Sequence, residues 1–156
     1  KLKSTGLRFF SVYGPLGRTD MSYFKFTNSI YHNKPLFLSN KGINMRDFTY
    51  IDDITHAIKE IVIKKIKKNY EIYNLGSGNP ISIIKIVKKL ELLIGKKAKI
   101  SYVDSFLEDA LITAADTKLI QADYGVQFNT TIEYGLSEFV EWYKNYQNAR
   151  SNKFTF

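Results

Sequence analysis

The 156-residue sequence contains no cysteine, only three prolines and no apolar run near the roughly 20 residues that span a bilayer. The lack of cysteine excludes a disulfide scaffold and a cysteine-based zinc site. The chain also does not begin with a basic segment followed by an apolar one, as a signal peptide does. Hydrophobic residues make up 44% of the chain, which is enough for a core and argues against disorder. We expect a soluble, cytoplasmic domain or a piece of a larger protein.

Arginine is scarce, with four arginines against 19 lysines, and the formal charge of +8 is uneven along the chain. Residues 59–99 hold eleven lysines and three glutamates, while the remaining residues are neutral. A basic region of this kind can bind nucleic acid. Base and phosphate readout favour the planar fork of arginine, however, and these lysines fall on the polar side of helices with an aliphatic side. We therefore expect a solvated surface and no nucleic-acid partner.

Several familiar catalytic motifs are absent from the sequence. There is no G-x-G-x-x-G turn, no G-x-S-x-G elbow and no H-E-x-x-H helix. Gly76-Ser77-Gly78 follows a predicted strand, but it lacks a third glycine and reads as an ordinary tight turn. His32 and His56 are isolated, which favours surface or packing roles over catalysis.

Hydrophobic periodicity predicts strands that alternate with helices, so the fold class is α/β. Residues 6–14 form an apolar run bounded by glycines, which indicates a strand buried on both faces. Thr130 and Glu133 have the spacing of a capping box at the start of the last helix. The polar tail over residues 148–156 is expected to fray.

Two stretches carry a family resemblance. Residues 6–21 read Gly-Leu-Arg-Phe-Phe-Ser-Val-Tyr-Gly-Pro-Leu-Gly-Arg-Thr-Asp-Met, and residues 46–54 read Arg-Asp-Phe-Thr-Tyr-Ile-Asp-Asp-Ile. Both resemble the C-terminal half of the extended short-chain dehydrogenases/reductases, the NAD-dependent sugar-nucleotide epimerases and dehydratases, and most of all the UDP-glucuronate 4-epimerases. The resemblance implies the C-terminal part of a Rossmann-type parallel sheet plus the small substrate-binding domain. Rossmann elements would occupy about residues 1–34 and 46–80, and the substrate-binding subdomain about residues 35–45 and 81–147.

The resemblance also implies the chemistry. Family members oxidise the sugar at C4 with bound NAD, rotate the keto sugar and reduce it from the other face, for polysaccharide sugar biosynthesis. Their glycine-rich cofactor turn and catalytic Tyr-x-x-x-Lys lie in the N-terminal half, and no tyrosine here is followed by lysine four positions later. We therefore expect the catalytic pair to lie upstream of Lys1 and the chain to contain no catalytic residue. We also expect it to be inactive alone, and to have a UDP-sugar, the missing N-terminal half and a homo-oligomeric copy as partners.

Site residues follow from the resemblance, position by position. Phe10 matches the residue whose backbone lies beside the nicotinamide, and Ser11 matches a hydroxyl residue that donates to the sugar carboxylate. Arg18 matches an active-site arginine near the sugar, and Arg46 matches the arginine that binds the diphosphate. Asp109 lies near the position of the aspartate that binds the uridine ribose.

Alternatives remain for these residues and for the function. Arg18 and Arg46 could instead form surface ion pairs, for example with Asp20 and Asp47. The residues that would bind the uridine of the substrate depart from the family pattern at Ser39, Phe106 and Glu108. Leu36 and Leu38 could still form the apolar slot for the uracil. The rival functions are a sugar-nucleotide 4,6-dehydratase of the same family and a non-catalytic remnant or interaction module.

Overall fold

The computed structural model describes residues 2–64, 69–104 and 110–153. Its strands in chain order are β1 (Ser4–Phe9), β2 (Ser11–Tyr13), β3 (Pro35–Ser39), β4 (Met45–Arg46), β5 (Phe48–Tyr50), β6 (Tyr70–Leu75), β7 (Ile81–Ser82) and β8 (Lys99–Val103). Strand β1 pairs with β6, β2 with β5 and β3 with β8, all in parallel. Strands β4 and β7 form a short antiparallel pair. Parallel pairs joined through helices confirm the predicted α/β class.

Within the described ranges, five α-helices accompany these strands: α1 (Ser22–Tyr31), α2 (Ile51–Ile63), α3 (Ile83–Ile94), α4 (Lys118–Tyr124) and α5 (Ile132–Lys153). Gly95 ends α3 in the left-handed conformation, with φ of 77°, which glycine adopts without a steric penalty. Across residues 2–64, 69–104 and 110–153, no helix combines the length and the apolar character needed to cross a bilayer.

Helix α5 differs from its prediction at both ends. The Thr131 hydroxyl, rather than that of Thr130, accepts the amide of Tyr134 at 3.3 Å at the start of α5. The hydroxyl of Thr130 instead donates to the Asp53 carboxylate at 2.8 Å, so the predicted capping box is wrong. At the other end, α5 continues to Lys153, past residue 148 where the tail was expected to begin, and fraying of these residues stays a prediction.

The predicted strand over residues 6–14 is divided at Phe10. Its first part pairs with β6 and its second part with β5, so the chain changes partner at this residue. Strand β1 is also less buried than predicted, since Phe9 keeps 50% of its surface exposed. The reason is that β1 and β6 form a sheet of two strands, which covers less surface than the interior of a wider parallel sheet.

The buried side chains form two clusters. The first joins α1, β2, β3, β5, α3 and α5 and includes the buried rings of Tyr23 and Phe139, whose centroids lie 4.7 Å apart. The second joins α2, β6 and α4 and includes Leu75, Ala57 and Ile120. Helix α1 thus packs with β2 and β5 of the predicted Rossmann elements and with β3, α3 and α5 of the predicted substrate-binding subdomain, while α4 packs with α2 and β6. The division into these two parts stays a prediction.

Candidate functional site

Arg46 lies in a cleft formed where β4, β3 and the start of α1 meet. Its Nη1 atom donates to the carbonyl oxygens of Met45 at 2.9 Å and Ala110 at 2.6 Å, which fixes the guanidinium. The cleft has a volume of about 250 Å³. Its described lining residues are Ser22, Phe26, Phe37, Leu38, Ser39, Asn44, Arg46 and Ile83.

The lining combines one cation with small polar groups and apolar side chains. No carboxylate or histidine belongs to the described lining, so these residues offer no acid–base group. A guanidinium beside hydroxyl and amide groups is suited to hold an anionic ligand by paired hydrogen bonds. The described cleft therefore has the chemistry of a binding site.

Strand β3 places its side chains alternately toward the core and toward the opposite face. Leu36 and Leu38 are both buried, and Leu38 also borders the cleft. Leu36 packs in the first core cluster and is not among the described lining residues, which differs from its predicted role. Phe37, which keeps 62% of its surface exposed, borders the cleft, as does Ser39. The alternation of β3 was readable from the sequence, but the neighbours of its two faces were not.

Arg18 does not border the Arg46 cleft. Its guanidinium forms a two-point ion pair with Asp20, with Nε to Oδ1 at 3.0 Å and Nη2 to Oδ2 at 2.6 Å. The pair raises the pKa of Arg18 and lowers that of Asp20. Both side chains are exposed, so the structure has the surface ion pair that the sequence left open as an alternative. Engagement of a sugar by Arg18 would require this pair to open.

Phe10 and Ser11 lie where the chain passes from β1 to β2. The Phe10 amide donates to the Leu75 carbonyl at 3.1 Å, and the Phe10 carbonyl accepts from Val12 at 2.8 Å. The Ser11 amide donates to the Asp47 carbonyl at 2.9 Å, which brings Ser11 beside the chain that carries Arg46. Because β1 and β6 are parallel, Phe10 lies just beyond the carboxyl ends of both strands, where Rossmann-like folds bind their ligands.

Asp47 has a role that the sequence analysis did not predict. Its side chain is fully buried, and both carboxylate oxygens accept hydrogen bonds from the backbone of distant segments. Oδ1 accepts the Ser77 amide at 2.9 Å, and Oδ2 accepts the amides of Gly78 at 2.9 Å and Ala115 at 2.8 Å. Asp47 therefore joins β5 to the loop after β6 and to the segment that precedes α4.

The predicted ribose residue Asp109 lies outside the described residues, as do Phe106 and Glu108. The described part of the chain next to them begins at Ala110, whose carbonyl accepts from Arg46. The predicted role of Asp109 therefore stays a prediction.

The expected position of the catalytic pair is also outside the described part of the chain. The resemblance puts the Tyr-x-x-x-Lys pair upstream of Lys1, and Lys1 itself lies outside the described residues, which begin at Leu2. The structure therefore does not test this expectation, and the place of the catalytic pair stays a prediction.

The lysine-rich region makes many contacts within the chain itself. Lys88 and Lys97 lie 3.7 and 3.3 Å from the Glu91 carboxylate. Lys89 pairs with Glu133, and the Lys96 ammonium donates to the Tyr31 carbonyl at 2.6 Å. Four of the lysines thus contact groups of the chain itself, and the expectation of no nucleic-acid partner stays a prediction.

Comparisons with known proteins agree with the resemblance seen in the sequence. Residues 1–76 match the model of the NAD dependent epimerase/dehydratase family. The chain is 45% identical over 140 residues to a UDP-glucuronate 4-epimerase of Thermodesulfobacterium geofontis, in a match that covers 88% of this chain and 42% of that protein. It is 38% identical over 161 residues to the protein CapI of Staphylococcus aureus, covering 93% of this chain and 48% of CapI.

The fold is likewise similar to solved structures. The UDP-glucuronic acid 4-epimerase from Bacillus cereus, in complex with UDP-glucuronic acid and NAD, superposes with a TM-score of 0.82 at 30% identity. That match covers 90% of this chain and 45% of the epimerase, and the chain spans about half the length of the curated relatives it matches. From its motifs, its parallel α/β fold and these similarities, the chain belongs to the NAD-dependent epimerase/dehydratase family of the extended short-chain dehydrogenases/reductases.

Proposed function

We propose that this chain is the substrate-binding half of an NAD-dependent sugar-nucleotide epimerase that converts UDP-glucuronate to UDP-galacturonate. The observation that carries the proposal is the fixed guanidinium of Arg46 in a cleft with apolar walls. The similarity to UDP-glucuronate 4-epimerases supports the choice of substrate. The product would serve as a precursor for polysaccharide sugars.

In this proposal Arg46 binds the diphosphate. Its Nη1 atom is held by two carbonyl oxygens, which orient the planar group, and a guanidinium carries five N–H donors that suit phosphate oxygens. The exposed ring of Phe37 and the side chain of Leu38 would contact the uracil, and Ser39 and Asn44 would supply polar contacts. The chain would thus hold the nucleotide while the sugar turns, which is a positioning role.

The sugar and cofactor would lie near the junction of β1 and β2. When bound, NAD supplies the hydride acceptor for oxidation at sugar C4 and the donor for its reduction. The Phe10 carbonyl keeps a second lone pair beyond its bond from Val12, so it can accept one donor of the nicotinamide carboxamide. The hydroxyl of the half-buried Ser11 would donate to the sugar carboxylate, the group that distinguishes a glucuronate from a glucose.

The proton transfer and most cofactor contacts would come from an N-terminal half that precedes Lys1 and carries the catalytic tyrosine and lysine. The proposal is supported by the share of the relatives that the chain spans and by the lack of a Tyr-x-x-x-Lys in its 156 residues. It is also supported by the exposed apolar side chains of Phe9 and Tyr70 on the sheet of β1 and β6. We propose that this sheet faces the N-terminal half and that the complete enzyme is a homo-oligomer.

Titration of UDP into the isotope-labelled chain, followed by NMR, tests the binding role. We expect shifts at residues around the cleft, and Arg46→Ala should weaken UDP binding by at least tenfold because a charge-assisted pair contributes about 1.5–3 kcal/mol. Arg150→Ala is the matched control, since it removes an arginine that contacts the Tyr146 ring instead of the cleft. Equal losses in both variants would contradict the assignment of Arg46.

A second experiment tests the activity. The chain, mixed with NAD and UDP-glucuronate, should form no UDP-galacturonate, whereas addition of a family N-terminal half should restore turnover. Formation of UDP-galacturonate by the chain alone would refute the proposed division of roles. The rise in melting temperature on addition of different UDP-sugars and dTDP-sugars separates this function from that of a 4,6-dehydratase. Only the proposed epimerase requires that UDP-glucuronate stabilise the chain more than the other sugar nucleotides do.

A further inference from the structure

We propose that Asp47 is the positioning residue for Arg46, a role that rests on the proposed binding of a diphosphate by Arg46. The Asp47 carboxylate is fully buried and sits where three segments of the chain converge. Its hydrogen bonds fix two segments that hold Arg46 in place. The first support is the loop between β6 and β7, and the second support is the segment from Ala110 to Ala115. Both supports are distant from Asp47 along the sequence, so the role emerges only in the folded chain.

The carboxylate is saturated by donors. Oδ1 accepts from the Ser77 amide at 2.9 Å, the Ser77 hydroxyl at 2.6 Å and the Thr49 hydroxyl at 3.2 Å. Oδ2 accepts from the amides of Gly78 at 2.9 Å and Ala115 at 2.8 Å. All of these partners donate, so the position requires a group that accepts on both oxygens. An asparagine would place its NH₂ group against one set of donors.

The first support runs through the loop between β6 and β7. Ser77 and Gly78 are bound by Asp47, and the chain then enters β7, where Ile81 pairs with Arg46 in the antiparallel register. Asp47, the residue that follows Arg46, therefore fixes the loop that leads into β7. This contact sets the position of the Arg46 backbone.

The second support runs through the segment from Ala110 to Ala115. Its two ends are bound by neighbouring residues, since Asp47 accepts the Ala115 amide and Arg46 donates to the Ala110 carbonyl. Between them, Met45 donates to the Leu111 carbonyl at 2.7 Å and accepts from Thr113 at 3.1 Å, so the segment lies along β4. Release of Ala115 would loosen the segment whose Ala110 carbonyl orients the Arg46 guanidinium.

The order of the Arg46 side chain measures this role without any ligand. In the isotope-labelled chain, the heteronuclear NOE of the Arg46 Nε–H group should fall by at least half in Asp47→Asn. Asp123→Asn is the matched control, because it makes the same change in a carboxylate bound to the Tyr73 hydroxyl in the other cluster, and it should leave the Arg46 signal unchanged. An unchanged Arg46 signal in folded Asp47→Asn would overturn the proposal.

A milder variant covers the case in which Asp47→Asn does not fold, as judged by circular dichroism. Ser77→Ala removes one hydroxyl donor and keeps the carboxylate with its backbone partners. It should lower the Arg46 NOE in the same direction by a smaller fraction. No change in this variant would then count against the proposal.

The affinity for UDP separates positioning from general loss of stability. Asp47→Asn should weaken UDP binding about tenfold in the wild-type background and less than twofold in an Arg46→Ala background. Equal losses in the two backgrounds would overturn a role that acts through Arg46. If the wild-type chain does not bind UDP, the proposed function fails, while the NOE of Arg46 still decides whether Asp47 positions it.

Discussion

Gly76 occupies a position with no room for a side chain. A Cβ atom there would lie 2.4 Å from the Cβ of Ala115 and 2.9 Å from Oδ2 of Asp47. The close approach of these segments allows the Asp47 carboxylate to reach both the Ser77 loop and Ala115. Glycine at this point is therefore required by packing, in addition to any preference of the turn.

We predict that Gly76→Ala lowers the free energy of unfolding by about 2 kcal/mol, because overpacking of a tight contact typically costs about 1–3 kcal/mol. Urea denaturation of the variant measures the loss. Gly6→Ala is the control, since its Cβ would lie 3.3 Å from Ile72 Cγ1 and the cost should stay below about 1 kcal/mol. Similar losses at the two positions would contradict the packing argument.

Glu91 is a second residue whose effect can be predicted. Its carboxylate is buried and accepts the Ala98 amide at 2.8 Å. This bond lowers the pKa of Glu91 below its ordinary value of 4.5, and Lys97 and Lys88 lower it further. Because the pKa is lower in the folded chain, the stabilisation is complete above about pH 4.5 and is lost as the pH falls through the folded value.

We predict that Glu91→Gln reduces stability by about 1 kcal/mol at pH 7, since the amide keeps an acceptor for Ala98 but loses the charge. The difference between variant and wild type should shrink as the pH is lowered below about 4.5. Urea denaturation at neutral and acidic pH measures both effects. A difference that is constant across this range would contradict the role of the charge.

Arg46 and Asp47 show what the sequence could and could not predict at the residue scale. Arg46 was predicted because a local motif carries it, and the structure places it in a cleft. The sequence indicates Asp47 only as an alternative ion-pair partner, because its donors at Ser77 and Ala115 lie 30 and 68 residues away along the chain. No local pattern reports such long-range bonds.

At the scale of elements, Asp53 connects two helices. It lies in the first turn of α2, and its carboxylate accepts the Thr130 amide at 3.0 Å and the Thr130 hydroxyl at 2.8 Å. Thr130 immediately precedes Thr131, whose hydroxyl accepts a hydrogen bond from the Tyr134 amide at the start of α5. The start of the last helix is therefore fixed to the start of α2.

A double-mutant cycle tests this connection. We predict that Asp53→Ala lowers the free energy of unfolding by about 2 kcal/mol and Thr130→Ala by about 1 kcal/mol, in line with hydrogen bonds to a charged group. The double variant should lose little more than Asp53→Ala alone, because both changes break the same hydroxyl bond. Fully additive losses, measured by urea denaturation, would show that Thr130 does not act through Asp53.

Element boundaries also show why some predictions held and others did not. The stop of α3 at Gly95 is a local property that a sequence alone can indicate, because glycine adopts the left-handed conformation at a helix end without a steric penalty. The capping box at Thr130 was not formed, because a carboxylate 77 residues away along the chain binds its hydroxyl. The division of the strand at Phe10 likewise depends on β5 and β6, which compete for the backbone of one run.

At the scale of the whole molecule, exposed apolar side chains lie on the sheet of β1 and β6 and on α2, whose buried side chains belong to the same core cluster as those of β6. Phe9 and Tyr70 belong to the two strands of the sheet, and Val62, at the end of α2, keeps 77% of its surface exposed. The second core cluster covers other side chains of α2 and β6. If an N-terminal half packs against this sheet in the complete enzyme, the chain alone should cover these side chains by self-association.

We predict that the isolated chain self-associates and that Phe9→Ser combined with Val62→Ser weakens this association about 100-fold. Loss of two buried apolar side chains removes about 3 kcal/mol, and each 1.4 kcal/mol corresponds to about tenfold in affinity. Sedimentation equilibrium measures the dissociation constant. Leu92→Ser is the control, because Leu92 is 79% exposed on α3, which belongs to the other cluster, and its replacement should leave the association unchanged. Association that weakens equally in the control would show that general hydrophobicity, rather than the sheet of β1 and β6, drives it.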